Sequence, residues 1–189
     1  MANYMESGSE KKLSVLIKEK SKELKFDLCG IAKIKVLEEN GAILKKWCEA
    51  GMNDKMQYLE RDFEKRINPE LHLPGAQSII VTGLSFNSPV GQKDPGAPVL
   101  SRYTYGLDYH NVIRDKLVVL LDFIRSVVPG CEGKIFVDSG TMMEKAWAVE
   151  AGLGWQGKHS ILINREIGSF FFIGEIILNI ALEYDTRIE

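Results

Sequence analysis

Between Asp108 and Val128 the residues Tyr109, Ile113, Leu117, Leu120, Leu121, Ile124 and Val128 recur mostly every three or four positions, and Pro129-Gly130 follows. That spacing lines one side of a long helix, and the Pro-Gly pair stops it. A helix with one apolar side needs a second apolar surface to cover it. The chain offers one in short runs bounded by turn residues. Phe26 to Ile34, Ile79 to Phe86, Lys134 to Val137, Ser160 to Asn164 and Phe170 to Leu178 are predicted strands. Further helices are predicted from Ser9 to Lys25, Val36 to Ala50, Asp54 to Asp62 and Met142 to Ala151. Leu37, Leu44, Trp47 and Cys48 share a side of the second of these, and Met56 and Leu59 face inward in the third.

Helices thus separate most strands, which predicts an α/β (α+β) domain: a mixed sheet with flanking helices. The last two strands, joined by a turn at Glu166 to Gly168, are predicted to form a hairpin. Residues 1–8 read as a disordered leader and residues 9–189 as a single domain. Residues Glu183 to Glu189 are mostly polar, contain no closing element and read as a boundary. A chain of 189 residues buries about 70% of its unfolded surface, enough for a core without metal or disulfide staples. Asn87 to Pro98, rich in Pro and Gly, is a loop that either covers a binding face or is an ordinary surface excursion.

Composition narrows the function classes. Hydrophobic residues at 45% and charged residues at 26% exclude a disordered chain. A net charge of −2 excludes a dedicated, strongly basic nucleic-acid module, though not a local basic patch. The three cysteines, Cys29, Cys48 and Cys131, are scattered, which suits small buried thiols and not a zinc site, an iron–sulfur cluster or a disulfide framework. No metal ligands are therefore predicted in this chain. Met1 to Glu10 is too polar for a signal peptide, and the longest apolar run, Ser169 to Leu182, is broken by Glu175 and Asn179. A cytoplasmic location is the default expectation, with no membrane partner.

Three segments concentrate chemistry. The first is Ser101 to His110, with Arg102, Tyr103, Tyr105, Tyr109 and His110 at the mouth of the long helix. Such residues flank a planar ligand, or equally form a packing corner with wet tips. The second is Asp138, after a strand and before Ser139-Gly140 and a helix. A carboxylate there reaches ligands that collect at strand ends, and burial beside an apolar ligand would favour its proton-donating form. It could instead cap the helix, a duty that Ser139 or Thr141 could take over. The third is Gly152 to His159, where Gly152, Gly154 and Gly157 allow close approach of a ligand beside Trp155, Lys158 and His159. It follows a helix and opens a strand, the reverse of a dinucleotide fingerprint, and it lacks a phosphate-loop pattern.

Taken in order, R-Y-T-Y-G-L-D-Y-H, V-D-S-G-T-M-M-E-K-A, A-G-L-G-W-Q-G-K-H-S-I-L-I-N and G-S-F-F-F-I-G-E-I strongly resemble the amino-terminal domain of epoxyqueuosine reductases, most densely from Leu100 to Ile177. The resemblance implies reduction of the epoxide of epoxyqueuosine at the tRNA wobble position. It implies cobalamin as cofactor, two [4Fe–4S] clusters in a following ferredoxin-like domain, an external electron donor and tRNA as partner. It also implies a fold related to cobalamin-dependent reductive dehalogenases, a cobalamin-processing chaperone and, distantly, flavin nitroreductases. Asp138 then matches the acid that protonates the leaving oxygen. Arg102, Tyr103, Tyr105, Tyr109, His110 and Ser139 would line the active site or the corrin face, and Gly154, Trp155, Gly157 and Lys158 would pass the cofactor edge. Relatives usually carry a small residue and a proline after D-S, where this chain has Gly140 and Thr141, and often Asn at the place of His159. Without cluster ligands, this chain alone is expected to be inactive as a reductase.

Three alternatives lie in other classes, one of them a structural module inside a larger protein, against which the density of Tyr, His, Gly and Trp in loops argues. A cobalamin-trafficking module would have no need of an acid at Asp138. A flavin-dependent nitroreductase-like enzyme would need basic groups for the flavin phosphate, and no Arg cluster near the amino terminus supplies them.

Overall fold

The computed structural model describes residues 7–87 and 91–188. Its helices are α1 (Ser7–Glu23), α2 (Glu38–Glu49), α3 (Phe63–Ile67), α4 (Tyr109–Val127) and α5 (Glu144–Glu150). Its strands are β1 (Leu28–Lys33), β2 (Ser78–Ser85), β3 (Gly133–Phe136), β4 (Trp155–Gln156), β5 (Leu162–Ile163) and β6 (Phe171–Leu178). Helix α1 already includes Ser7 and Gly8, so the predicted leader is too long by those two residues. Its first six residues, like Pro89 of the loop, lie outside the described residues.

A four-stranded sheet in the order β1-β2-β6-β3 forms the centre. The α+β class with flanking helices holds, and the mixed sheet narrows to one in which each pairing is antiparallel. Strands β2 and β3 do run in the same direction on either side of α4, as in a split β-α-β unit. They are not neighbours because β6 inserts between them, antiparallel to both. The same insertion overturns the predicted terminal hairpin. Strand β5 pairs with β4, and only an isolated bridge, Asn164 to Gly168, joins the two sides of the turn before β6.

Alternation along the strands builds two cores. On one face Ile80, Ile176 and Leu178 pack with Leu13 and Ile17 of α1 and with the α4 stripe. Ile113, Leu117, Leu120, Leu121 and Ile124 are buried there, each worth about 1.5–3 kcal/mol of transfer free energy. On the other face Ile79, Val81 and Ile177 pack with Trp147 and Ala148 of α5 and with Leu162. The cysteines are unpaired: Cys131 is buried, while Cys29 and Cys48 are half-buried.

One local expectation fails. Residues 54–62 form only a short 3-10 turn, Gln57–Leu59, because Asp54 and Asp62 adopt positive φ, and Met56 is exposed. The polar end of the chain is tied down: the Asp185 N–H donates to the Ile31 carbonyl (2.8 Å), the Asp185 carboxylate accepts from the Ile31 N–H (2.9 Å), and Lys18 pairs with it (2.6 Å). Among the described residues no helix is long and apolar enough to cross a membrane.

Candidate active site

Helix α4 and strand β3 bring the first two chemical segments together. Asp108 caps α4, its carboxylate accepting from the His110 N–H (3.0 Å), which fixes Tyr109 and His110 in the first turn. The Tyr109 ring stacks on Phe172 of β6 (centroids 3.7 Å apart) and its hydroxyl donates to Asp138 Oδ2 at 2.5 Å. Burial, and then the Asp138 carboxylate, push the Tyr109 phenol well above its ordinary range, so it stays a donor. His110 Nδ1 lies 2.8 Å from Asp108 Oδ1, and Nε2 lies 3.8 Å from Asp138 Oδ2. These bonds to His110 hold Asp108 below the usual carboxylate range.

Asp138 does not cap α5. That position belongs to Met143, with no side-chain cap, and Thr141 Oγ1 instead pairs with His72 Nε2 at 3.0 Å. Neither Ser139 nor Thr141 therefore takes the capping role, and Ser139 is exposed. The Asp138 side chain is 62% exposed, so the chain by itself leaves this carboxylate in water.

Tyr103 and Arg102 come from a 3-10 turn, Arg102–Tyr105. Tyr103 packs edge-on against Tyr109, Phe86 and Phe172, while Arg102 donates to Asn87 Oδ1 (2.6 Å) and lies over Phe170. With Tyr105 and Leu107 they line a cavity of about 630 Å³. The tyrosines thus pack against their aromatic neighbours and also line an open cavity of ligand size.

The glycine segment reads differently in three dimensions. A Cβ on Gly154 would lie 2.0 Å from the Ile163 carbonyl oxygen, and one on Gly157 would meet the His159 ring at 2.5 Å. These glycines let β4 and β5 close on each other and let their turn fold back, a packing duty that competes with the predicted ligand contact. Trp155 on β4 and Lys158 and His159 on that turn are exposed.

Sequence reasoning missed a second cavity of about 550 Å³ on the other side of the Asp138 loop, lined by Ile43, Trp47, Arg66, Met142, Met143, Glu144, Lys145, Gln156 and Ser160 among others. The Asp138 N–H donates to Glu144 Oε1 at 2.6 Å, so Asp138 is bonded to one wall residue of each cavity. Burial, then the Asp138 charge, raise Glu144 to about 7. Beneath it Glu175 of β6, beside Phe136 in the sheet register, is fully buried with neither carboxylate oxygen bonded; burial and then Glu144 raise it well above its ordinary value. The signals were Thr-x-x-Glu at 141–144 and an acid inside the strand run 171–178. Among the described residues no three His, Cys, Asp or Glu side chains are grouped to hold a metal ion.

The antiparallel sheet between α1/α4 and α5 superposes on solved epoxyqueuosine reductases and, as a fold alone, on reductive dehalogenases. A reductive dehalogenase structure described as suggesting a mechanism for B12-dependent dehalogenation superposes with a TM-score of 0.66, at 13% identity, covering all of this chain and 22% of that one. By sequence the chain is similar to epoxyqueuosine reductases along most of its length. The family model "Epoxyqueuosine reductase QueG, DUF1730" matches residues 66–139. The epoxyqueuosine reductase of Cellulophaga algicola is 44% identical over 181 residues, 96% of this chain and 59% of the relative. An epoxyqueuosine reductase solved with a tRNA-Tyr epoxyqueuosine-modified stem loop has a TM-score of 0.86 at 30% identity, over 94% of this chain and 48% of that one. The Bacillus subtilis enzyme, solved with its aspartate-bearing catalytic loop swung out of the active site, gives 0.84 at 29%, over 94% and 48%. The chain thus spans about half to three-fifths of the relatives it matches.

Proposed function

We propose that this chain is the cobalamin-binding catalytic domain of an epoxyqueuosine reductase and that Asp138 is its acid. The observation that carries the reading is the Tyr109–Asp138 hydrogen bond at the mouth of the aromatic cavity, which holds a non-capping carboxylate beside a wall suited to a flipped base. Similarity to epoxyqueuosine reductases and the tRNA stem loop bound by a relative support the substrate class. The residues of the second cavity fit cobalamin: Ile43, Trp47 and Met143 offer an apolar floor, while Gln156, Lys145 and the buried, unbonded Nε of Arg66 suit an amide-rich ligand edge. Trp155 and Lys158 would hold the part of the cofactor that projects beyond that cleft. When bound, the cofactor supplies the electron pair for reduction of the epoxide.

The protein's own part is positioning and proton supply. Tyr103 and Tyr105 seat the base by stacking, and Arg102 steers the phosphate-bearing strand. Tyr109 occupies Oδ2 of Asp138 and so leaves Oδ1 to face the epoxide oxygen. Substrate covering the loop removes water, favours the protonated acid, and lets it protonate the alkoxide released on ring opening. His110, held by Asp108, faces the same carboxylate and can return the proton from solvent. The loop at 138–141 corresponds in this reading to the one that swings in the Bacillus enzyme. The two [4Fe–4S] clusters and further tRNA contacts belong to the rest of the full-length protein, an electron donor lies outside it, and the location is cytoplasmic. A cobalamin carrier would have no use for a tyrosine-held acid.

The test is Asp138→Ala in the full-length protein. Cob(II)alamin binding, followed by absorbance and paramagnetic resonance, should be unchanged while turnover falls by about 10²–10⁴-fold. Equal turnover in mutant and wild type would remove Asp138 from the mechanism.

A further inference from the structure

We infer that Glu144 is a positioning residue for Asp138: by holding the Asp138 backbone amide, its carboxylate fixes the loop that aims the acid. The inference rests on the reading of Asp138 above only for its consequence in catalysis. The bond itself stands independently.

The loop is not self-supporting. Asp138 sits at φ +45°, in the left-handed region that side-chain-bearing residues avoid, and Gly140 follows at φ +91°. Three bonds to three elements hold it: Tyr109 of α4 on the Asp138 side chain, His72 on Thr141, and Glu144 of α5 on the Asp138 N–H. Only the last grips the backbone of Asp138, so it sets the direction in which the side chain leaves the chain. A carboxylate accepting from an N–H binds more strongly than a neutral carboxyl does. The strength of the grip therefore follows the charge on Glu144.

The surroundings make that charge adjustable. Glu144 faces Asp138 from the loop, Tyr109 and His110 from α4, Lys145 from its own helix, Arg66 across the cavity, and Glu175 from the sheet below. Glu175, fully buried and unbonded, feels the Glu144 charge, and Lys145 donates to the Ser160 carbonyl at 3.0 Å. Burial and the Asp138 charge oppose ionisation, and Glu144 gives up its proton only at about pH 7. Above that the grip is charge-assisted; below it the grip weakens and the loop is freer to leave.

The test reads the bond directly. In the ¹⁵N-labelled protein the Asp138 amide proton should move downfield as pH rises, with one midpoint near 7. Glu144→Gln keeps an oxygen acceptor without a charge and should abolish that titration. His110→Asn, which removes the imidazole that faces the same carboxylate, should leave it intact. A flat Asp138 amide in wild type, a titration that survives Glu144→Gln, or one that vanishes in His110→Asn would each overturn the inference. In the full-length protein Glu144→Gln should lower kcat roughly tenfold to a hundredfold with KM for tRNA unchanged, and erase the rising limb of the pH profile. An unaltered pH profile would overturn the catalytic consequence. If Asp138→Ala proves silent while the amide still titrates, the assignment of the acid fails and the latch stands.

Discussion

Replacing Glu144 by Gln should change how stability depends on pH. Burial and the Asp138 charge raise Glu144 from 4.5 to about 7 in the folded protein. The unfolded chain keeps the ordinary value. Between the two, the unfolded chain has lost a proton that the folded one retains, so stability falls as pH rises through this window and levels off above about 7. A displacement of that size is worth ~3 kcal/mol in full. Roughly 2 kcal/mol of it lies between about pH 5.5 and about pH 8, and water reaching this half-buried side chain brings the figure nearer 1 kcal/mol. Glu175 carries an effect of the same sign, whose larger part, from its own burial, both proteins share, while the smaller part from the Glu144 charge goes with the mutation. Urea unfolding of wild type and Glu144→Gln at these two pH values measures the difference. Wild type should lose about 1–2 kcal/mol more than the mutant on going to the higher pH. Parallel losses would mean that Glu144 is not held protonated in the fold, and the reasoning from its burial would be wrong.

Tyr109→Phe should leave stability within about 0.5 kcal/mol, because the ring keeps its stack on Phe172, yet cut turnover about tenfold by freeing the Asp138 carboxylate; thermal melts and steady-state rates check the two halves. Gly154→Ala should destabilise by about 2–3 kcal/mol, lowering Tm by roughly 5–10 °C in calorimetry, since the new Cβ meets the Ile163 carbonyl. The chain alone, given cobalamin, an epoxyqueuosine-containing stem loop and a generic chemical reductant, should not turn over; product detected by mass spectrometry would show that it needs no cluster domain.

Local pattern made much of this molecule legible. The stripe from Ile113 to Ile124 became α4, because period is a property of a short segment. Apolar runs likewise located β1, β2, β3 and β6 to within two residues at each end. The order of the chemical motifs gave the resemblance and put Tyr109 and Asp138 among the site residues. Their contact across 29 positions came only from packing α4 and β3 onto one sheet.

What the sequence by itself determined was therefore which segments are helical or extended and which residue types stand at strand ends. Tertiary structure decided who meets whom. Strand β6 displaced β3 from β2 because pairing depends on register and burial across the whole sheet, which no local window contains. The same packing turned Glu175 inward, brought it within reach of the Glu144 charge, and gave Gly154 to a strand contact. A carboxylate's charge state depends on what surrounds it in space, so the acid pair beneath Asp138 existed only once the layers had closed.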